Sequence, residues 1–278
     1  QLILTMRKSI LFTFLLLVAC VNTGSNDNQE KRTSTTIWLI GDSTMADYTH
    51  QPDYVKNGSI IAGWGQVFQQ FVSGKYLDSL QEIVHSDSVI VRDKAIGGRT
   101  SRSFFEEGRW RTIYDSIQPG DIVIIQFGHN DASIRLHELL AKRGYPEFVD
   151  LGYKEYLRLY VSQTREKGGT PILLTPVARN YPWKNDSLSN IHGKFPESVK
   201  IVADEMNVQM IDLNQLSIDF FTSAGQEYVT WNYFMNIPEG KYEAYPEGVK
   251  DNTHFQMEGA IEVARLVYLG MKNLSENQ

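Results

Sequence analysis

The chain has 278 residues, 42% of them hydrophobic, a single cysteine, and 27 basic against 33 acidic side chains for a net charge of −6. That is apolar material enough for one sizeable core, and an acidic balance of this kind excludes nucleic acid as an expected partner. One thiol also excludes a disulfide framework, so stability has to come from burial.

Near the start, Arg7-Lys8 leads into an apolar run from Ile10 to Val18 that ends at Ala19-Cys20. A basic stretch followed by an apolar run too short to span a bilayer is a targeting signal, so residues 1–19 are expected to be a signal peptide. Leu17-Val18-Ala19-Cys20 resembles a bacterial lipobox. The resemblance implies lipidation at Cys20, a lipid-anchored protein of the bacterial cell envelope, and membrane contact through that anchor alone. The alternative is an ordinary secretory signal to the periplasm with Cys20 incidental. Setting residues 1–19 aside removes Arg7 and Lys8 and leaves 25 basic against 33 acidic residues. Residues 20–34 carry almost nothing apolar and read as a flexible tether, so the folded domain is expected over residues 35–278.

From Thr36 onward short apolar runs alternate with longer segments of helical period, the pattern of parallel strands joined by crossover helices. Strands are expected at Thr36–Ile40, Ser88–Arg92, Ile122–Phe127, Pro171–Thr175 and Val208–Leu213. Each is too uniformly apolar for a one-faced sheet, which calls for helices on both sides. Those helices are expected near Trp64–Phe71, Ser103–Glu107, Tyr153–Lys167, Lys194–Met206, Asn214–Ala224 and Met257–Leu269. The stretch from Gly225 to Gly248 breaks the rhythm, with Tyr228, Trp231, Tyr233, Phe234, Tyr242 and Tyr245 among Asn, Gly and Pro. It reads either as a packed loop or as part of a binding surface. The fold class is α/β, a three-layer α/β/α domain on a parallel sheet of about five strands.

In such sheets ligands bind outside the carboxyl ends of the strands, so the residues after each strand carry the chemistry. Gly41-Asp42-Ser43 follows the first, Ala95-Ile96-Gly97-Gly98-Arg99-Thr100-Ser101 the second and Gly128-His129-Asn130-Asp131 the third. Asp251 and His254 stand three residues apart before the last helix, where one short turn can hold both on one side. A hydroxyl, glycine N–H groups, a carboxamide, an acid and an imidazole are the parts of nucleophilic acyl transfer with an oxyanion hole. Singly they are weak signals, since Ser43 and Thr44 could serve only as helix caps. Met45 stands where a Gly-x-Ser-x-Gly motif needs its second glycine, which argues against the α/β-hydrolase elbow.

Together, Gly41-Asp42-Ser43, Gly98, Gly128-His129-Asn130-Asp131 and Asp251-Asn252-Thr253-His254 resemble the ordered blocks of the SGNH (GDSL-type) hydrolases over nearly the whole domain. Gly63-Trp64-Gly65, Gly97-Gly98-Arg99-Thr100-Ser101-Arg102-Ser103 and the Phe255 and Gly259-Ala260 that follow His254 extend the likeness to the rhamnogalacturonan acetylesterase group. The resemblance implies a flavodoxin-like SGNH fold, no cofactor, and an acetylated polysaccharide or oligosaccharide as partner, pectic rhamnogalacturonan before others. It implies Ser43 as nucleophile, His254 as base and Asp251 as the acid that orients it. The Ser43 and Gly98 N–H groups and the Asn130 side-chain amide would form the oxyanion hole.

Four further residues are substrate-binding candidates, each with a competing structural role. Trp64 could wall the pocket or anchor the core, and Arg99 could bind a uronate carboxylate or an ordinary ion-pair partner. His129 could reach substrate or pack beneath its loop, and Trp231 could stack on sugar or join the core. Asp131 reads as a turn former. His50, His85, His137 and His192 show no ligand spacing, so no metal is expected. Two rival functions are an esterase or thioesterase acting on small or lipid acyl esters, and a catalytically inactive glycan-binding lipoprotein. The polar Asp47, Thr49, His50 and Gln51 beyond Ser43 argue against the acyl tunnel of the first, and the joint presence of all five site residues argues against the second.

Overall fold

The computed structural model describes residues 32–133, 142 and 148–277. The expected signal peptide, Cys20, most of the tether and His137 lie outside the described residues. The described chain forms β1 (Thr35–Gly41), β2 (Ile61–Ala62), β3 (Val89–Asp93), β4 (Ile122–Gln126), β5 (Thr170–Leu174), β6 (Trp183–Lys184), β7 (Ser187–Leu188), β8 (Gln209–Ile211), β9 (Phe234–Ile237) and β10 (Val249–Gln256). Five of them make a parallel sheet in the order β3-β1-β4-β5-β8. These are the five strands expected from the sequence, with ends displaced by no more than two residues. Because β3 and β4 flank β1, the order reverses at β1, and the loops leaving β1, β3 and β4 open on one crevice.

Side-chain alternation along the central strands explains the two covering layers. Ile122 and Ile124 of β4 join a cluster with Trp64, Phe68, Phe221, Val263 and Val267, whereas Val123 and Ile125 join Phe104, Trp110, Tyr160 and Val199 on the opposite face. Burying a side chain of this size is worth about 1.5–3 kcal/mol, which is why both faces stay covered. The first layer contains helices Leu213–Ala224 and Met257–Glu276, and the second contains Ser101–Glu106, Arg109–Tyr114, Phe148–Glu166 and Phe195–Glu205.

Four local expectations change. The domain begins before Thr35, because Arg32 bridges to Ser86 and its Nη2 meets Asp121 Oδ1 at 3.2 Å. Trp64–Val72 is a 3₁₀ helix, and its first N–H groups go to the serine loop, from Trp64 to Thr44 O at 3.0 Å and from Gly65 to Met45 O at 2.9 Å. Asp251 and His254 belong to β10, not to a turn between elements. A second sheet, β2-β10-β9, carries that strand, and its β9–β10 register slips between Lys250 and Phe255. Such an irregularity re-aims side chains from a strand. Lastly, the 225–248 segment divides: Tyr233 and Phe234 are buried, while Tyr228 and Trp231 are exposed.

Candidate active site

Ser43 sits on the turn that leaves β1, a turn held from below by buried polar groups. Asp42 Oδ1 accepts from Thr44 N at 3.1 Å and Thr44 Oγ1 at 2.9 Å, and Asp42 Oδ2 lies 3.4 Å from His129 N. Burial alone would raise the Asp42 carboxyl, but the neighbouring His129 and the Thr44 hydrogen bonds outweigh it and hold the group below its usual range. Gln126, the last residue of β4, donates to Thr44 Oγ1 at 2.8 Å and accepts from Trp64 Nε1 at 2.8 Å. Tyr48 Oη donates to Ser43 O at 2.9 Å. Gly41 precedes all of this because a Cβ there would lie 2.5 Å from Gln126 O.

On this platform Ser43 Oγ stands 2.8 Å from His254 Nε2, and His254 Nδ1 stands 2.6 Å from Asp251 Oδ2. The other oxygen of Asp251 accepts from Thr253 N at 2.7 Å and His254 N at 3.1 Å, so one carboxylate folds the local chain and faces the imidazole together. Burial would raise the Asp251 carboxyl; the hydrogen bond and charge of His254 and those two N–H groups instead hold it low. An ionised Asp251 fixes the tautomer with its proton on Nδ1, leaving Nε2 to accept.

The glycine loop after β3 passes over the serine, close enough that a Cβ on Gly97 would stand 3.6 Å from Ser43 Cβ. Gly98 has φ +76°, a left-handed conformation that glycine adopts without strain. Beyond it, Thr100 and Ser103 form a reciprocal capping box on helix Ser101–Glu106. Asp131 reaches across to that helix start and accepts from Ser101 Oγ at 2.7 Å and Ser101 N at 3.0 Å, pinning the loop of Asn130 to the loop of Gly98. Burial dominates over those bonds and pushes the Asp131 carboxyl up to about 7. Asn130 Nδ2 uses one N–H on Arg99 O at 3.1 Å. Among the described residues, the N–H groups of Ser43 and Gly98 have no acceptor.

The structure therefore brings Ser43, Asp251 and His254 together and draws the loops of Gly98 and Asn130 toward them. The four substrate-binding candidates fare differently. Trp64 is 0% exposed and bonded to Gln126, so its ring cannot meet a substrate arriving from solvent; its place is in the core beneath the site. Arg99 is engaged by Glu107 at 3.1 Å and by Gly97 O at 2.9 Å. His129 is buried yet lines a cleft beside Asn130, and Trp231 is 45% exposed on a separate concavity with Gln226, Tyr228 and Asn232. Among the described residues no cluster of three or more His, Cys, Asp or Glu could hold a metal, and no helix is long and apolar enough to cross a membrane.

Several supporting residues carried no sequence signal. Asn180 donates to Asn252 Oδ1 at 3.0 Å and takes Asn252 O on its own N–H at 2.9 Å, while Asn236 donates to Asp251 O at 3.2 Å and Asn252 Oδ1 at 2.9 Å. These amides hold the strand that bears the acid and the imidazole.

The chain belongs to the GDSL-like lipase/acylhydrolase family, whose model matches residues 39–259, and it is a carboxylic-ester hydrolase of that family. It is similar to the probable rhamnogalacturonan acetylesterase YesY of Bacillus subtilis (strain 168), 39% identical over 86% of this chain and 93% of that protein. It is also similar to the rhamnogalacturonan acetylesterase RhgT of the same organism, 34% identical over 86% of this chain and 90% of the relative. The crystal structure of the Bacillus subtilis protein YxiM, 29% identical, superposes with a TM-score of 0.66 over 87% of this chain and 57% of that larger one.

Proposed function

We propose that the protein is a carbohydrate acetylesterase that removes acetyl groups from pectic rhamnogalacturonan through an acyl-enzyme on Ser43. The observation that carries this reading is the continuous line from Ser43 Oγ to His254 Nε2 at 2.8 Å and from His254 Nδ1 to Asp251 Oδ2 at 2.6 Å. The substrate class draws its support from the two Bacillus relatives, one named as a rhamnogalacturonan acetylesterase and the other as a probable one, which match along most of this chain.

In the first half-reaction Ser43 Oγ attacks the acetyl carbonyl carbon while His254 Nε2 takes the hydroxyl proton. Negative charge gathers on the former carbonyl oxygen, where the N–H groups of Ser43 and Gly98 and the free N–H of Asn130 Nδ2 receive it. Asp251 stabilises the imidazolium. As the tetrahedral species collapses, the bond to the sugar oxygen breaks, and His254 returns its proton to that oxygen so that a neutral sugar hydroxyl leaves. Water then repeats the sequence on acetyl-Ser43, with His254 as base, and acetate departs.

Acetate release from a panel of acetylated rhamnogalacturonan, xylan and mannan tests both parts. The expected result is release from all that bind, with the highest kcat/KM on rhamnogalacturonan. No acetate from any of them overturns the activity, and a preference for xylan or mannan overturns the pectic assignment. For the amino-terminal region we read Cys20 as the lipid attachment site of an envelope protein. Cys20→Ser should then move the protein from the membrane fraction to the soluble one, and unchanged membrane association would refute that reading.

A further inference from the structure

A cleft of about 370 Å³ has His129, Asn130, Ser133, Arg179, Tyr181 and His192 in its wall. Arg179 leaves the loop after β5 and ties the two halves of the site together. Its Nη1 donates to Thr253 Oγ1 at 2.9 Å, one residue before the imidazole, and its Nη2 donates to His129 O at 3.1 Å, one residue before the Asn130 amide. A third, longer contact joins Nη1 to Tyr181 Oη at 3.4 Å. All three acceptors are neutral, and a guanidinium carries five N–H donors, so two remain without an acceptor among the described residues. No Asp or Glu is among the described residues that line the cleft.

Arg99, on the glycine loop, differs in facing a carboxylate, Glu107 Oε2 at 3.1 Å, which it shares with Arg109 at 2.6 Å. His129, 2% exposed, is already faced by a carboxylate, with Asp42 Oδ2 3.4 Å from its Nδ1. Asp42 is the negative charge behind this ring, and its other oxygen is already bound by Thr44. His192 packs edge-on to His129 with ring centroids 4.5 Å apart and has Nε2 2.9 Å from Val177 O. Burial first, then the proximity of His129 and Arg179, push its imidazole well down, so the cleft's fixed positive charge belongs to Arg179.

We propose that this cleft is a carboxylate-binding subsite, in which Arg179 pairs with the carboxylate of a uronic acid residue at the acetylation site, and that it selects acetylated uronate polymers over neutral acetylated glycans. The assignment rests on the acetylesterase reading and names what that enzyme recognises besides the ester. A carboxylate seated there gains charge-assisted hydrogen bonds from a partly desolvated guanidinium. A neutral sugar or a methyl-esterified uronate leaves those donors without an anion.

The test compares acetylated rhamnogalacturonan oligosaccharides with free uronate carboxyls and the same oligosaccharides with those carboxyls methyl-esterified, each assayed for acetate release. The wild type should favour the free acid by about tenfold to a hundredfold in kcat/KM, a ratio that shrinks as salt is added. Arg179→Gln should bring the ratio close to one, and Arg179→Lys should keep part of it. Because the readout is a ratio within one enzyme, a general loss of activity in a variant does not imitate the result. A wild-type ratio near one, or an Arg179→Gln ratio equal to that of the wild type, overturns the subsite and leaves the acetylesterase reading standing. Absence of acetate from both forms overturns that reading and the subsite with it. Should Arg179→Gln fail to fold, the wild-type ratio and the lysine variant still decide.

Discussion

At the amino ends of the parallel strands the buried Asp121 carboxylate accepts four hydrogen bonds, from Arg32 Nη2, Thr36 N and Trp38 Nε1 at 3.2 Å each and from Gln118 N at 3.0 Å. At their carboxyl ends the Ser43 and Gly98 N–H groups and two N–H groups of Arg179 find no acceptor among the described residues. A buried polar group without a partner costs about 1–3 kcal/mol, so folding alone does not favour the second arrangement. Unpartnered polar atoms occur singly at the amino end, as at Arg32 Nη1 and Gln209 Oε1, whereas at the carboxyl end they gather on the loops that carry the site.

Ser43→Ala and His254→Ala should each lower kcat for acetate release by about a millionfold, the scale seen when a serine–histidine pair is removed in a protease, with thermal unfolding nearly unchanged. Loss of folding in both would make these positions structural. Asp121→Ala should do the reverse: four donors lose their acceptor, and the melting temperature should drop sharply while kcat per folded molecule holds. An Asp121→Ala protein as stable as the wild type would remove the contrast between the two ends.

Smaller effects sharpen it. Asn130→Ala removes the amide proposed as an oxyanion donor without emptying the core, and kcat should fall about 10²–10³-fold with KM little changed. A fall of similar size in stability would mean that Asn130 serves the loop only. In pH, activity should fall about tenfold per unit on the acid side as His254 takes a proton, because imidazolium cannot accept from Ser43. Asp251, held low, stays ionised through that limb. A rate that stays flat as the solution is acidified would contradict the assignment of the base.

Asp131 gives the smallest effect, and its sign is opposite to that of an ordinary surface carboxylate. Its native value is raised to about 7, so between the usual carboxylate range and 7 the native state holds more protons than the unfolded chain. Stability from this group is present at low pH and is lost as pH rises through that window, by at most about 1.4 kcal/mol per pH unit. Asp131→Asn should flatten the stability profile there, measured by urea unfolding. An unchanged slope would assign the dependence to another group such as Asp93, which burial also pushes well up.

The strands were legible because a run such as Ile122-Val-Ile-Ile-Gln126 is apolar on both faces and ends at a glycine-bearing loop, a purely local pattern. The residue types of the site were legible for a related reason, since each motif lies within a few residues of a strand end. β10 was not, because Val249-Lys-Asp-Asn-Thr-His254 is too polar to read as a strand and takes its shape from β9 and β2. Arg179 to Thr253 spans 74 positions and Asn180 to Asn252 spans 72, and no spacing rule connects residues that far apart. Trp64 marks the remaining limit: an indole between two glycines suits a pocket wall or a core anchor equally, and only its complete burial separates them.

A serine-directed fluorophosphonate probes the Ser43–His254 pair itself, since it reacts with a serine hydroxyl only where a neighbouring base removes the proton. A single adduct on Ser43 is expected, with activity lost in step with labelling and labelling suppressed in His254→Ala. An enzyme that keeps releasing acetate after Ser43 is fully modified would contradict it.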